Sequence, residues 1–276
     1  MGLIRVDMEK CERDGFCVEV CPLNILMLDA KEGPKVRPMM GRFCIACGHC
    51  VAVCPHGALD NVRTPLAEQV PIHKYPVLDS ETAFTFLRSR RSVRCYKEEP
   101  VSRETMLRLL EVARYTPSGH NSQGISYLVV EGKENIHHIS ELVVDWMRKR
   151  VEADPREASR LGMPGLIKAF DKGEDKILRD APQIIVAMGA KELGAAAQAT
   201  TYLALEYLEL YATTLHLGTC WAGFAQAAAK EYEPLIAFLK IPEDKQVKGI
   251  LMVGYPRHVY YRLPERNPLE VAWFEK

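Results

Sequence analysis

Cys44-Ile-Ala-Cys47-Gly-His-Cys50-Val-Ala-Val-Cys54-Pro55 sets four cysteines into eleven residues and closes the run with a proline. Three thiolates separated by two residues each can wrap one face of an iron–sulfur cube, while the fourth, followed by Pro, points away and reaches another. Zinc also takes thiolate pairs, but its usual sites use two separated pairs, and this run is too crowded for them. The same frame occurs upstream as Cys11-Glu-Arg-Asp14-Gly-Phe-Cys17-Val-Glu-Val-Cys21-Pro22, with Asp14 where the second cysteine should be. Exchanging the fourth ligands gives two sets. One is Cys44, Cys47, Cys50 and Cys21; the other is Cys11, Cys17 and Cys54, with Asp14 or another group in the last place. A carboxylate oxygen is a harder ligand than a thiolate. Asp14 as ligand would hold its iron weakly and leave room for a 3Fe–4S cluster; the alternative is that Asp14-Gly15 is merely a turn.

Seven of the nine cysteines lie between Cys11 and Cys54. Dense clustering of that kind, in a chain without a signal-peptide apolar stretch, predicts metal rather than disulfides and a cytoplasmic location. The 276 residues leave room for two domains, and 47% hydrophobic with 26% charged residues excludes wholesale disorder. Lys plus Arg and Asp plus Glu both number 36, so no positive field favours nucleic acid or an anionic membrane. The longest apolar stretch, Ala195 to Leu217, carries Gln198, Glu206, Glu209 and His216, which predicts a buried helix rather than a membrane span.

Residues 1–60 are expected to form the iron–sulfur domain and 61–80, with three prolines, an extended linker in which His73 is solvated. From 81 to 276 the pattern is that of helices and strands together. A short helix is expected over Glu81 to Arg91, another after the N-cap Ser102, and an amphipathic one over Asn135 to Val151. Strands are expected over Ile125 to Val130, Ile184 to Met188 and Val247 to Val253. Met163 to Leu178 reads as a loop or lid, the long helix is expected to stop at Gly218, and a last helix covers Tyr232 to Leu239. Neither G-x-G-x-x-G nor G-x-x-x-x-G-K-[ST] is present, which leaves Rossmann and P-loop chemistry unsupported.

Three polar segments in this second part can meet a ligand. Arg88 to Arg94 concentrates guanidinium and hydroxyl donors that suit a phosphate or a heterocycle edge, although a solvated basic helix end has the same composition. Pro117-Ser118-Gly119-His120-Asn121-Ser122-Gln123 is a polar loop directly before a strand. Gly218-Thr219-Cys220-Trp221-Ala222-Gly223-Phe224 places small residues where a flat ligand can approach the backbone. Cys220 lacks a partner base, and with Cys95 it reads as a packing cysteine.

The two cysteine runs resemble a two-cluster bacterial ferredoxin over about residues 1–60. Arg90-Arg91-Ser92-Val93-Arg94, the Pro-Ser-Gly-x-Asn-Ser-Gln loop, Ala181-Pro182, Gly254-Tyr255-Pro256 and Arg266-Asn-Pro, in that order, resemble the nitroreductase family of FMN-dependent oxidoreductases over residues 80–276. The resemblance implies an α+β fold: a ferredoxin-like domain followed by a mixed-sheet sandwich in an intertwined homodimer. It implies FMN held by Arg90, Arg91, Ser92, Arg94 and Arg266 at the phosphate, ribityl chain and ring edge. Pro117, Ser118, Gly119, Asn121 and Gln123 would approach from the neighbouring subunit, and Cys220, Trp221, Ala222 and Gly223 through backbone. Gly124-Ile125 replaces a frequent Pro-Trp, and the Glu of some members is missing near Trp221; both border the substrate side.

Clusters move single electrons and a flavin can collect two, so the joined domains imply an electron path to a small-molecule acceptor. The expected acceptor is a nitroaromatic or similar electron-poor compound, and the expected donor an external ferredoxin-type carrier. Dehalogenation, enone reduction, substrate oxidation with electrons leaving through the clusters, and a non-enzymatic electron-transfer module are the alternatives. No side chain is assigned a catalytic role.

Overall fold

The computed structural model describes residues 2–72 and 78–275 of the chain, so His73 and the expected linker's residues 73–77 lie outside the described residues. The chain divides into two units, Met1–Val77 with Gly119–Ser122, and Leu78–Ser118 with Gln123–Lys276.

In the first unit β1 (Ile4–Val6) is followed by α1 (Phe16–Glu19), the hairpin β2 (Leu26–Asp29) and β3 (Gly33–Val36), α2 (His49–Ala52) and β4 (Leu59–Asn61). The two short helices start alike. Gly15 at φ 82° and Gly48 at φ 74° take the left-handed conformation that lets the chain turn sharply between two ligand positions. β1 pairs with β4 antiparallel, Ile4 opposite Asn61. The hairpin turn is closed by Asp29, whose Oδ1 accepts the Lys31 and Glu32 amides, both at 2.9 Å. Cys17, Ile25, Leu26, Val51 and Leu59 form the small buried core.

The chain does not become a free linker at residue 61. Asn61 is buried in β4, Val62 N donates to Leu3 O at 3.0 Å, and Leu66 N donates to Asp60 Oδ1 at 2.8 Å. Gln69 Nε2 donates to Thr64 O at 3.1 Å. Pro65 therefore opens a tight turn over 66–68 instead of an extended spacer.

The second unit begins with α3 (Ser80–Ser89) and α4 (Arg103–Glu111), then β5 (Ile125–Glu131), α5 (Lys133–Ala153), α6 (Pro155–Arg160) and α7 (Met163–Phe170). It continues with β6 (Gln183–Ala190), α8 (Gly194–Thr214), β7 (Gly218–Trp221), α9 (Gly223–Glu231), α10 (Glu233–Phe238) and β8 (Lys245–Gly254). The sheet order is β5-β6-β8-β7, every pair antiparallel. Among the described residues, the parallel component is the bridge from Ser92 to Thr219.

Strand alternation sorts side chains to two faces. Ile184, Val186 and Met188 of β6 join Ile250 and Met252 of β8 in one core with α5, α7, α9 and α10. Ile185 and Ala187 join Leu251 and Val253 in a second core with α4 and α8. Both faces are covered, which is why β6 reads as a continuous apolar run. Ser102 Oγ accepts Thr105 N at 3.1 Å, the expected cap of α4.

Three expectations change. Residues 163–170 are helix, not lid: Gly162 turns at φ 72° and Met163 is buried. Beyond α7, Asp175 Oδ1 accepts the amides of Ile177 and Leu178 at 2.7 and 2.9 Å and so pins residues 175–178. α8 ends at Thr214, with His216 rather than Gly218 in the left-handed turn at φ 57°. Gly218 opens β7 because a Cβ there would sit 2.6 Å from Val93 Cγ2. Cys220 packs in the core, but Cys95 is exposed and belongs to neither core cluster of the second unit. Among the described residues no helix is long and apolar enough to cross a membrane.

Candidate functional site

Two of the first unit's cavities are lined by the exchanged cysteine sets. Cys21, Cys44, Cys47 and Cys50 wall one, with Pro22, Ile45 and Asn61. Cys11, Cys17, Cys54 and Asp14 wall the other, with His56. Among the described residues no three His, Cys, Asp or Glu side chains converge on a single-ion position. Thiols spread around a cavity suit a cluster better than one tetrahedral zinc. Main-chain donors reach matching sulfurs: Ile25 N to Cys21 Sγ at 3.3 Å and Ala58 N to Cys54 Sγ at 3.4 Å. Burial, reinforced by the charge of Asp14, pushes the Cys17 thiol up to about 11, and burial raises Cys50. Iron must therefore displace protons on entering.

Asp14 serves the turn and faces the cavity at once. Its Oδ1 accepts Phe16 N at 3.2 Å, and its Oδ2 lies 3.6 Å from His56 Nε2. Asp14→Cys is expected to complete four thiolates there. The check is electron paramagnetic resonance with iron analysis: any 3Fe–4S signal should vanish and iron should approach about eight per chain. A persistent 3Fe–4S signal would remove Asp14 from that corner.

The second unit presents a cavity of about 410 Å³ lined by Arg90, Arg91, Lys97, Glu209, His216, Gly218, Thr219 and Tyr255 to Tyr260 without Arg257. Its size falls in the range of small-ligand sites. Arg90 and Arg91 are brought to it because Val93 N donates to Thr219 O at 2.8 Å and Ser92 bridges Thr219, laying this segment against β7. Arg91 gives its terminal nitrogens to Arg88 O, Arg90 O and Arg262 O, while its Nε is buried without an acceptor. An orphaned cationic N–H beside a cavity fits an anionic ligand such as a phosphate. Ser92 is half-buried, and Arg94 is exposed with Nη1 on Ser92 O at 3.2 Å. Cys220 and Ala222 are buried, Trp221 half-buried, and Gly223 open, with nothing within 4 Å of where a Cβ would stand.

The polar loop is divided. Ser118 Oγ accepts Gln123 N at 3.1 Å, with Pro117 exposed and Gln123 exposed at φ 49°. Gly119–Ser122 groups with the first unit, where Asn121 Nδ2 donates to Ile45 O and Ala46 O at 3.0 and 2.9 Å. Asn121 thus has a role in the first unit that the sequence did not disclose. Arg266 is exposed in the irregular C-terminal segment, beside the Arg88–Glu265 ion pair.

The residue most clearly missed is Glu209. It is 2% exposed, accepts Thr219 Oγ1 at 2.8 Å and Trp221 Nε1 at 2.9 Å, and faces Arg90 Nη1 at 3.5 Å. Burial pushes its carboxyl up, opposed by those partners. A charge in the apolar α8 was the available signal. Glu209→Leu is expected to release Arg90 and the indole together and to shift Trp221 fluorescence. An unchanged spectrum would remove Glu209 as their anchor.

Comparison with known proteins agrees with both halves. The description "Nitroreductase family" matches residues 87–255, and "4Fe-4S dicluster domain" matches residues 5–58. A protein named NADH dehydrogenase from Thermus thermophilus is 28% identical over 212 residues, spanning 72% of this chain and 97% of that one. A Desulfitobacterium hafniense nitroreductase structure with bound FMN superposes at TM-score 0.56 with 20% identity, over 71% of this chain and all of that one. A Bacteroides fragilis nitroreductase with bound FMN gives 0.55 and 18%, over 68% of this chain and 97% of that one. A two-core sandwich, a guanidinium-lined cavity against β7 and an N-terminal dicluster segment together carry one conclusion: the chain belongs to the nitroreductase family.

Proposed function

We propose that this chain is an FMN-dependent oxidoreductase whose own iron–sulfur clusters exchange electrons with the flavin and which reduces a small electron-poor organic molecule, a nitroaromatic or similar compound. The observation that carries this reading is the pairing, in one chain, of two thiol-lined cavities with a cationic cavity in a nitroreductase fold. When bound, FMN would accept electrons singly or in pairs and pass them on as a pair. Arg91, Ser92, Arg94 and Arg266 would hold its anionic end. Arg90 is already engaged by Glu209 and Glu206, so its part would be to fix the wall rather than to carry the phosphate. Thr219 and Trp221, anchored on Glu209, would shape the ring side and exclude water.

Homodimerisation is supported by α8, whose apolar side chains Tyr202, Leu203 and Tyr207 remain 48, 45 and 42% exposed in the single chain. The exposed Tyr261, Leu269, Trp273 and Phe274 of the C-terminal segment point the same way.

Arg91→Ala and Arg266→Ala are each expected to weaken FMN binding by about 1.5–3 kcal/mol, one to two orders of magnitude in Kd. Flavin fluorescence titration reads this, and an unchanged Kd would exclude the residue from the site. The function itself is tested by anaerobic reduction of the protein followed by reoxidation with a panel of small acceptors. Rapid reoxidation by a nitroaromatic, and not by buffer alone, is expected; failure with every organic acceptor would sink the reading. The name NADH dehydrogenase borne by the Thermus thermophilus relative favours a second reading, in which NAD(P)H reduces the flavin and the clusters carry electrons out.

A further inference from the structure

The cluster cavities are alike in their main chain and unlike in their polar side chains, with Asn61 in the wall of one and Asp14 and His56 in the wall of the other. The two cysteine runs are displaced by 33 residues, which makes Cys11, Asp14, Cys17 and Cys21 the counterparts of Cys44, Cys47, Cys50 and Cys54. The amides on Cys21 and Cys54 Sγ, from Ile25 and Ala58, obey the same displacement. Asn61 does not. It ends β4 at 3% exposure and lies in the wall of the cavity lined by Cys21, Cys44, Cys47 and Cys50. Its Oδ1 accepts Arg63 N at 3.0 Å, which fixes the orientation of the amide. Its Nδ2 is thereby turned toward Cys44 Sγ at 3.8 Å and Cys50 Sγ at 3.9 Å. The counterpart of Asn61 is Leu28, which has no side-chain N–H to give. The other cavity has the carboxylate of Asp14 in its wall instead.

N–H dipoles aimed at ligand sulfurs stabilise the more negative, reduced state of a cluster, and a nearby carboxylate opposes it. We propose that Asn61 makes the two clusters unequal, giving the one held by Cys21, Cys44, Cys47 and Cys50 the higher reduction potential. This rests on the reading of both cavities as cluster sites. A single electron from a one-electron donor that reached the cluster held by Cys11, Cys17 and Cys54 would then pass to the one held by Cys21, Cys44, Cys47 and Cys50 and rest there. One is oxidised as the other is reduced, and no bond or proton is exchanged. Asn61 is in this sense a tuning residue for electron flow.

The test is an anaerobic redox titration of the full-length holoprotein, followed by electron paramagnetic resonance, for wild type, Asn61→Asp and Asn61→Leu. Iron and sulfide analysis of the wild type first establishes whether both clusters are present; too little iron would sink the cluster reading itself, independently of Asn61. With both present, each variant is expected to lower the potential of one cluster, the one that fills first in wild type. The change should be about three- to tenfold in its one-electron equilibrium, the latter being about 59 mV, with the other cluster unmoved. Asn61→Asp keeps the Oδ1 acceptor for Arg63, so it separates the loss of the sulfur donor from loss of the turn. Equal shifts of both clusters, or none at full iron content, would overturn the proposal. If both variants lose iron, Asp14→Cys decides. It must move only the lower-potential cluster, and movement of the higher one overturns the assignment.

Discussion

Stripping iron from the full chain is expected to unfold residues 2–72 and to leave residues 78–275 folded. Among the described residues the first unit's core cluster has five buried members, Cys17, Ile25, Leu26, Val51 and Leu59, and one of these is itself a ligand candidate. Full burial of an aliphatic side chain contributes about 1.5–3 kcal/mol, while ordering each backbone residue costs about 1–2 kcal/mol. A core this small cannot order some seventy residues alone, and the clusters must supply the balance. The second unit has a large apolar core on each face of its sheet. Hydrogen exchange read by mass spectrometry before and after chelation separates the two. Amide protection should vanish in β1 through β4 and persist in β6 and β8. Protection surviving in β1 through β4 would show that the first unit folds without metal.

Gly218→Ala should be strongly damaging in the second unit although it adds only one methyl group. The added Cβ would lie 2.6 Å from Val93 Cγ2 and 2.7 Å from Val93 Cβ. Val93 is buried and cannot swing into solvent. Overpacking of this kind costs about 1–3 kcal/mol. The cost would extend beyond stability, because the Val93 amide on Thr219 is what lays Arg90 to Arg94 along β7. Displacing Val93 moves both guanidinium groups of the cavity wall. Thermal unfolding should show the lost stability, and flavin titration a loss of about tenfold or more in affinity, the size of one misplaced charge-assisted contact. The double variant with Val93→Ala should recover part of both. Full flavin affinity in the single variant would mean that the segment does not depend on this close approach.

What could be read from the sequence was what local spacing dictates. The exchanged cysteine sets follow from intervals of two and three residues, and they line separate cavities. β6 was legible because a strand buried on both faces must be apolar throughout. Gly218 was misassigned because a glycine after a helix usually ends it, whereas here His216 makes that turn and Gly218 answers to Val93, far away in the chain. The same limit hid Asp175, whose Oδ2 accepts Ser140 Oγ of α5 at 2.8 Å from 35 positions away and so ties an apparent lid to fixed structure. Glu209 and Asn61 are long-range cases too. Their partners are Arg90 and Trp221 for one and Cys44 and Cys50 for the other, and no periodicity links them. Asn121 had the composition of a ligand contact but donates to two carbonyls in the first unit.

If clusters and flavin form one electron path within the chain, anaerobic stopped-flow mixing of the oxidised holoprotein with a one-electron donor must show two ordered phases. Cluster absorbance should bleach first. Flavin absorbance should then fall as the clusters recover, with a rate constant independent of protein concentration, and this second phase should be lost in Cys44→Ser. Flavin reduction at the same rate in wild type and Cys44→Ser, with the clusters filling only afterwards, would contradict entry through the clusters.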